Sequence, residues 1–205
     1  DRLRFERELE ALTAASHPNV VPVLDAGTDQ GRPFLVQALV TGGSLEERLR
    51  REGPLDCADA ARIVGKLCRG LAAAHAVGVL HRDLKPANVL LDMGRDRPFP
   101  KVTDFGLARR GAPSTSDGQG RVFGTPGYMS PEQLTGQASA ASDVYMLCAT
   151  LYELFSLHHY LGLEDPEQPE LAYAVMRAEH VSADTHVDRF NGRVPRDLAR
   201  ICEAG

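Results

Sequence analysis

Paired cysteines, long apolar runs and an excess of positive charge are all missing from this 205-residue sequence. Cys57, Cys68, Cys148 and Cys202 stand far apart and no Cys-x-x-Cys occurs. That excludes a disulfide framework and the usual zinc spacings, so reduced, buried thiols and a cytoplasmic setting are expected. The longest apolar stretch, "VYMLCATLYELF", is too short to cross a bilayer and contains Glu153, so it reads as a buried helix. No segment has the form of a signal peptide, and nothing here calls for membrane contact. A net charge of −5 speaks against a nucleic-acid partner. His158, His159, His180 and His186 share no metal-ligand spacing. Internal repeats are absent as well. Asp1 opens directly into a helical pattern and "DLARICEAG" ends within one, so a longer parent polypeptide is expected.

What is present is ordinary globular material, 43% hydrophobic and 25% charged. Residues 2 to 15 place Phe5, Leu9 and Leu12 at helical spacing, and "HPN" then breaks the helix. Residues 20–26 and 33–39 read as two antiparallel strands, with Gly27 and Gly31 in the turn between them. Ser44 and Glu47 form a capping box for a short helix. A long helix is predicted over 56–76, with Ile63, Leu67 and Leu71 on one face and Gly78 ending it. Short strands follow at 89–91 and 100–103. Residues 104–130, with six glycines, read as loop. A buried helix is predicted over 141–155, then loop over 163–170 and two modest closing helices. Strands come first and helices dominate later, which makes the class α+β with two unequal lobes.

The chemistry is concentrated in "VLHRDLKPANVLLD", residues 79–92. A surface loop needs no such apolar flanks, and a core segment does not tolerate such charges. His81, Arg82, Asp83 and Asn88 fit H-R-D-x-x-x-x-N; Asp104-Phe105-Gly106 begins thirteen residues past Leu91; "GTPGYMSPEQ" then carries Pro131-Glu132. Three motifs in this order and spacing resemble the eukaryotic-type Ser/Thr protein kinases, and "HRDLKPANVLLD" and "GTPGYMSPEQL" are most similar to the bacterial members. The resemblance covers nearly the whole chain.

It implies a two-lobed kinase-like fold, with 1–40 as the remainder of a small lobe and 41–205 as an incomplete large lobe. It implies transfer of the γ-phosphate of ATP, with magnesium or manganese, to Ser or Thr of protein substrates. Self-association for autophosphorylation is a further expected partner mode. Asp83 would orient or accept the proton of the acceptor hydroxyl, and Lys85 would reach the transferred phosphate. Asn88 and Asp104 would hold the metal through oxygen. The Asp-Leu-Lys-Pro sequence implies Ser/Thr rather than Tyr acceptors, and Thr125 would line the acceptor site unless it is only a turn residue.

Glu8 would pair with an ATP-anchoring lysine, with Glu6 and Glu10 as alternatives on other faces of the helix. Gln37 would gate the back of the ATP pocket, the Ala38 carbonyl and Val40 N–H would meet the adenine, and Leu90 would pack beneath it. Ala38 departs from the family's frequent Glu. Leu12, Val23, His81 and Phe105 resemble the apolar column joining the lobes. Asp143 either binds the catalytic-loop backbone or merely caps its helix. Glu132 ordinarily pairs with a later arginine, and none is evident. Arg82 implies control by activation-loop phosphorylation, with Ser114, Thr115 and Ser116 as candidates or Asp117 as a built-in substitute. "LHHYLGLEDPEQPE" departs from the family's Gly-x-x-Pro-Phe. No G-x-G-x-x-G occurs, so the 205 residues alone are expected to bind ATP poorly and transfer little. A pseudokinase, a scaffold that keeps the fold without the chemistry, remains the alternative.

Overall fold

The computed structural model describes residues 13, 16–30, 32–94, 97–105, 125–162, 175–177, 180–185, 187–188 and 192–204. Glu8, Leu12, Gly106, Ser114, Thr115, Ser116, Asp117 and His186 lie outside the described residues, as does nearly all of the first predicted helix. The "HPN" stretch forms a turn in which the Val20 N–H donates to the His17 carbonyl at 2.9 Å. The chain is then tied to a segment eighty residues away. The Val21 N–H donates to the Val102 carbonyl (2.9 Å) and the Val102 N–H to the Asn19 carbonyl (2.8 Å). The Asn19 side chain, buried, donates to the Pro100 carbonyl at 2.8 Å.

This tie displaces the first hairpin from its expected register. β1 spans Val23–Asp29 and β2 spans Arg32–Gln37, not 20–26 and 33–39. Val20 and Val21 are already committed to Val102, and Pro22 has no N–H to give a ladder. Gly27 accordingly lies inside β1 rather than in the turn, opposite Phe34. The Phe34 ring comes within 2.6 Å of where a Cβ would sit, so any larger residue would have to push that half-exposed ring aside.

From β2 the chain passes to α1 (Leu45–Glu52), whose N-terminus carries the predicted capping box: the Glu47 N–H donates to Ser44 Oγ (3.1 Å) and the Ser44 N–H to the Glu47 carboxylate (2.8 Å). Just before it, Gly42 passes so close to β3 that a Cβ would lie 2.1 Å from the Leu91 carbonyl oxygen. α2 (Cys57–Ala76) starts on the Asp56 cap, which accepts from the N–H groups of Ala58 and Asp59. Its inward stripe is Ala60, Ile63, Leu67, Gly70, Leu71 and Ala74. Each fully buried Leu or Ile of such a stripe contributes roughly 1.5–3 kcal/mol. Gly78, at φ +77°, ends the helix turn in the left-handed region.

β3 (Val89–Asp92) and β4 (Phe99–Val102) form a short antiparallel ribbon. A four-residue helix, α3 (Pro131–Leu134), follows; the sequence pattern does not predict it. α4 (Ala140–Ser156) is the buried helix, with Met146, Leu151, Leu154 and Phe155 fully enclosed. It packs against α2 on one side and α5 (Arg196–Ala204) on the other. A two-stranded ribbon, β5 (Val187–Asp188) with β6 (Gly192–Arg193), was not expected. Of the two predicted closing helices, α5 is one; Val175 and Met176 are helical within a segment mostly outside the described residues.

α4 ends on Leu157, which sits at φ +58° in the left-handed C-cap position that favours glycine. Leu157 is 44% exposed, so little packing compensates for the backbone. Leu157→Gly is expected to raise unfolding stability by about 0.5–1 kcal/mol, read as a higher urea midpoint at unchanged slope.

Candidate active site

The segment 79–92 enters under Val79 and leaves through β3, both anchored in the apolar core. Between them the backbone is held by side chains from other elements and by bonds within the loop. Asp143, in the first turn of α4 and fully buried, is the principal anchor. Its Oδ2 accepts the His81 N–H at 2.8 Å and its Oδ1 accepts the Arg82 N–H at 2.9 Å. His75, near the end of α2, donates Nε2–H to the same carboxylate at 2.7 Å. Of the two sequence readings, Asp143 takes the first: the cap of α4 is Ser139, and Asp143 reaches the backbone of the 79–92 segment.

His81 is fully buried and its tautomer follows from its partners. Nε2 lies 2.8 Å from the Thr103 carbonyl, which can only accept, and Nδ1 receives the Asp83 N–H at 3.2 Å. The ring is therefore the neutral Nε2–H form. Burial lowers its pKa, against the raising pull of Asp143. The ring also lies 4.8 Å from that of Phe105. Of the proposed lobe-joining column, His81 and Phe105 thus touch, while Val23 packs against the core from the hairpin. Arg82 between them takes φ +69°, and Asp104 takes φ +55°. Both are left-handed, non-glycine residues, of the kind that persist only where surroundings impose them.

Four candidate residues converge on one point. Lys85 Nζ donates to Thr125 Oγ1 at 2.6 Å, and the Thr125 hydroxyl lies 3.4 Å from Asp83 Oδ1, toward which it donates. Asn88 Nδ2 donates to the Asp83 carbonyl (2.7 Å) and to Asp83 Oδ2 (3.1 Å). Asp83, Asn88 and Thr125 are each over nine-tenths buried. Asn88 is joined to the next motif because the Thr103 N–H donates to the Asn88 carbonyl at 3.0 Å. Asp104 follows directly and is exposed.

With its N–H₂ on Asp83, Asn88 keeps its amide oxygen for a cation, and Asp104 adds a carboxylate. Among the described residues no three His, Cys, Asp or Glu side chains gather as a metal cage. A donor set of one amide oxygen and one carboxylate suits magnesium, which takes its other ligands from water and phosphate.

The nucleotide-side candidates fall along the seam between the hairpin and the β3–β4 ribbon. Thr103 Oγ1–H donates to Gln37 Oε1 at 3.2 Å, and the Ala38 N–H donates to the Pro22 carbonyl at 2.9 Å. Val40 leads to Gly43, whose carbonyl accepts the Leu91 N–H at 3.0 Å beside the half-buried Leu90. Thr103 was missed by sequence reasoning, although it touches Gln37, His81 and Asn88 at once. His75 and Gln133 were missed as well. Gln133 Nε2 donates to the Arg82 carbonyl at 2.5 Å. Glu132, for which the sequence showed no arginine partner, accepts from Ser142 Oγ–H at 2.6 Å. Burial raises the Glu132 pKa, but hydrogen bonds from Ser142 and Ser130 outweigh it and leave the carboxyl below its ordinary value.

Beneath the Thr125–Ser130 stretch, the Tyr128 hydroxyl donates to the Glu153 carboxylate, whose pKa burial raises despite that bond. His159, from the unusual "LHHY" stretch, packs edge-on against Tyr128 with centroids 5.3 Å apart. Burial lowers the His159 pKa to about 4, with the Gly127 backbone pulling weakly the other way.

The chain matches the protein kinase domain family over residues 2–195. It is 43% identical over 161 residues to Serine/threonine-protein kinase pkn3 of Myxococcus xanthus, covering 75% of this chain and 29% of that protein. It is 39% identical over 156 residues to PknL of Mycobacterium tuberculosis, covering 76% of this chain and 38% of that protein. Among solved structures, Rad53 1–466 in complex with AMP-PNP superposes with a TM-score of 0.70 at 26% identity, over 87% of this chain and 44% of that one. The fold is the two-lobed α+β kinase fold, and the chain belongs to the protein kinase domain family. It spans between about three and four tenths of the length of these curated relatives.

Asp143→Asn replaces one acceptor oxygen by a donor and leaves a buried N–H of the His81–Arg82 segment, or His75, unpaired. The expected loss is about 1–3 kcal/mol in chemical denaturation. His159 generates a pH dependence. The unfolded chain takes the proton near the ordinary value of about 6.5, while the folded chain resists to about 4. Below pH 6.5 the unfolded state therefore binds more protons, and stability falls as pH is lowered through this window, by on the order of 1 kcal/mol per pH unit. The difference in unfolding midpoint between wild type and His159→Gln should shrink as pH falls from 6.5 toward 4.

Proposed function

We propose that this chain carries most of the catalytic machinery of a Ser/Thr protein kinase, one that transfers the γ-phosphate of Mg-ATP to Ser or Thr hydroxyls of proteins. The observation that carries this reading is the convergence of the Asp83 carboxylate, the Lys85 ammonium and a threonine hydroxyl on one buried point, with Asn88 bonded to Asp83. The relatives' names and the AMP-PNP complex of the structural neighbour support the same chemistry. Residues 1–40 are read as the remainder of the small lobe and 41–205 as large lobe. The setting is read as cytoplasmic. Among the described residues no helix is long and apolar enough to cross a membrane.

In this mechanism the acceptor hydroxyl takes the place at Asp83 Oδ1 where the Thr125 hydroxyl now points. Asp83 aligns it and receives its proton as the oxygen attacks the γ-phosphorus and the bond to the bridging oxygen of ADP breaks. Lys85 offsets the charge on the transferred phosphoryl oxygens. Asn88 and Asp104 would hold the magnesium ion, which when bound neutralises the phosphate oxygens and the charge that develops on them. Phosphoryl transfer asks for positioning and charge rather than covalent catalysis. A loop pinned by a buried carboxylate supplies that. Ser114, Thr115 and Ser116 are the candidate phosphorylation sites through which Arg82 would sense activation, by self-association and autophosphorylation.

The test is transfer of radiolabelled phosphate from ATP by the full-length protein and by the 205-residue chain, each beside its Asp83→Asn variant, with a basic protein as acceptor. Label on Ser and Thr is expected from the full-length protein, falling about 10²–10⁴-fold in the variant. Little transfer is expected from the 205-residue chain, which has no G-x-G-x-x-G run. Absence of label from a folded full-length protein, with magnesium and with manganese, would replace the enzyme by the scaffold reading.

A further inference from the structure

The left-handed Arg82 directly precedes Asp83, so whatever fixes its backbone also fixes where the Asp83 carboxylate points. On the N–H side the grip is complete: Asp143 takes the N–H groups of His81 and Arg82, and His81 Nδ1 takes that of Asp83. On the carbonyl side the Arg82 oxygen has a different partner, Gln133 Nε2 at 2.5 Å. Gln133 is 4% exposed and sits on α3, fifty-one residues away in sequence. A carbonyl can only accept, so the amide orientation is determined: N–H₂ faces Arg82 and Oε1 faces away. In that orientation Oε1 is buried with no hydrogen-bond partner. A buried amide with one half unpaired is unfavourable. A leucine of similar size would avoid this but would leave the Arg82 carbonyl without this donor, so the bond to Arg82 is what glutamine offers at this position.

α3 is short but well fixed. Ser130 caps it by accepting the Gln133 N–H at 3.3 Å, and Pro131 opens it with its preset φ. Its successive residues point to different anchors. Glu132 is tied to Ser142, the neighbour of Asp143, and Gln133 to Arg82. The helix also follows directly on the Thr125–Ser130 stretch that supplies the hydroxyl at Asp83. One small element thus holds the acceptor-side loop, the start of α4 and the backbone of the catalytic loop in fixed relation.

We propose that Gln133 is a positioning residue for phosphoryl transfer: its amide N–H clamps the Arg82 carbonyl, holds the left-handed turn and so aims the Asp83 carboxylate at the acceptor hydroxyl. This rests on the phosphoryl-transfer reading above. Gln133 acts through the Arg82 carbonyl, so its removal is expected to act on kcat and not on nucleotide affinity.

The test compares wild type with Gln133→Leu, which keeps the volume, and Gln133→Met, which keeps the length and unbranched shape; neither has an N–H to give the carbonyl. In the full-length protein, kcat for a Ser/Thr peptide is expected to fall about tenfold in both variants, since sub-ångström misplacement of a catalytic group costs rate steeply. The KM for Mg-ATP stays within twofold. In parallel, hydrogen exchange on a peptide spanning residues 79–84 reads the loop without requiring activity. The Arg82 and Asp83 amides should exchange faster in both variants, while peptides from α2 and α4 exchange as in wild type. Wild-type kcat in either variant, a KM change that accounts for the whole loss, or unchanged exchange at Arg82 and Asp83 overturns the proposal. Should the wild type transfer no phosphate, the function reading fails on that control, and the exchange data decide the clamp by themselves.

Discussion

The Asp143 carboxylate is the constraint on which the rest of the site depends. It is fully buried, and a charge in that position is tolerated only when donors surround it. Three do: the amides of His81 and Arg82 and the His75 ring. They come from the catalytic loop and from α2, while Asp143 itself belongs to α4. The two large helices and the loop between them are therefore bound through one side chain. Thr103 extends the arrangement. Its carbonyl receives the His81 ring N–H, its own N–H reaches Asn88, and its hydroxyl reaches Gln37 at the end of the hairpin. The chain from Asp143 through His81 and Thr103 to Gln37 runs across the molecule without leaving hydrogen-bond distance.

Much of the site was legible because its motifs are local. The H-R-D-x-x-x-x-N run puts Asn88 within reach of Asp83 across a single 3₁₀ turn, and a contact five residues long can be read from spacing alone. The capping box at Ser44 and the aliphatic stripe of α2 are local in the same sense. The hairpin register was not legible. Val20 and Val21 look like strand residues and are strand-like, but they pair with Val102, eighty residues on, and Pro22 then delays β1. A propensity pattern contains no information about which distant edge wins. α3 escaped for another reason: four residues make one turn, too short for periodicity, and only Ser130 and Pro131 hinted at it. His75 and Gln133 lie 68 and 51 residues from their partners, so the sequence offered no spacing by which to find them.

Where the sequence departs from the family pattern, the structure shows a substitution of means. After α4 the chain turns on a left-handed Leu157, and the following His159 and Tyr160 fill the space with tilted rings whose centroids are 4.7 Å apart. Tyr160 goes on to share a hydrogen bond with Tyr145 of α4 at 2.8 Å. Aromatic contact thus supports the Tyr128 stretch from below, and His159 brings to that support a ring that burial keeps neutral. Glu132 likewise settles on the Ser142 hydroxyl, a neutral partner only ten residues away.

The Thr125 hydroxyl has a consequence for how an acceptor enters. It lies between Lys85 and Asp83 as an alcohol of the protein's own, occupying the relation to both that a guest alcohol needs. The resting aspartate is therefore not a vacancy but a place already taken. On the phosphoryl-transfer reading proposed above, a serine or threonine side chain would arrive by exchange, giving the aspartate the same kind of hydrogen bond it gives up. The net gain from that bond alone is close to nothing, so a lone alcohol has no purchase here. On that reading selection would fall to the rest of the peptide, and the hydroxyl would decide only where on that peptide the reaction happens.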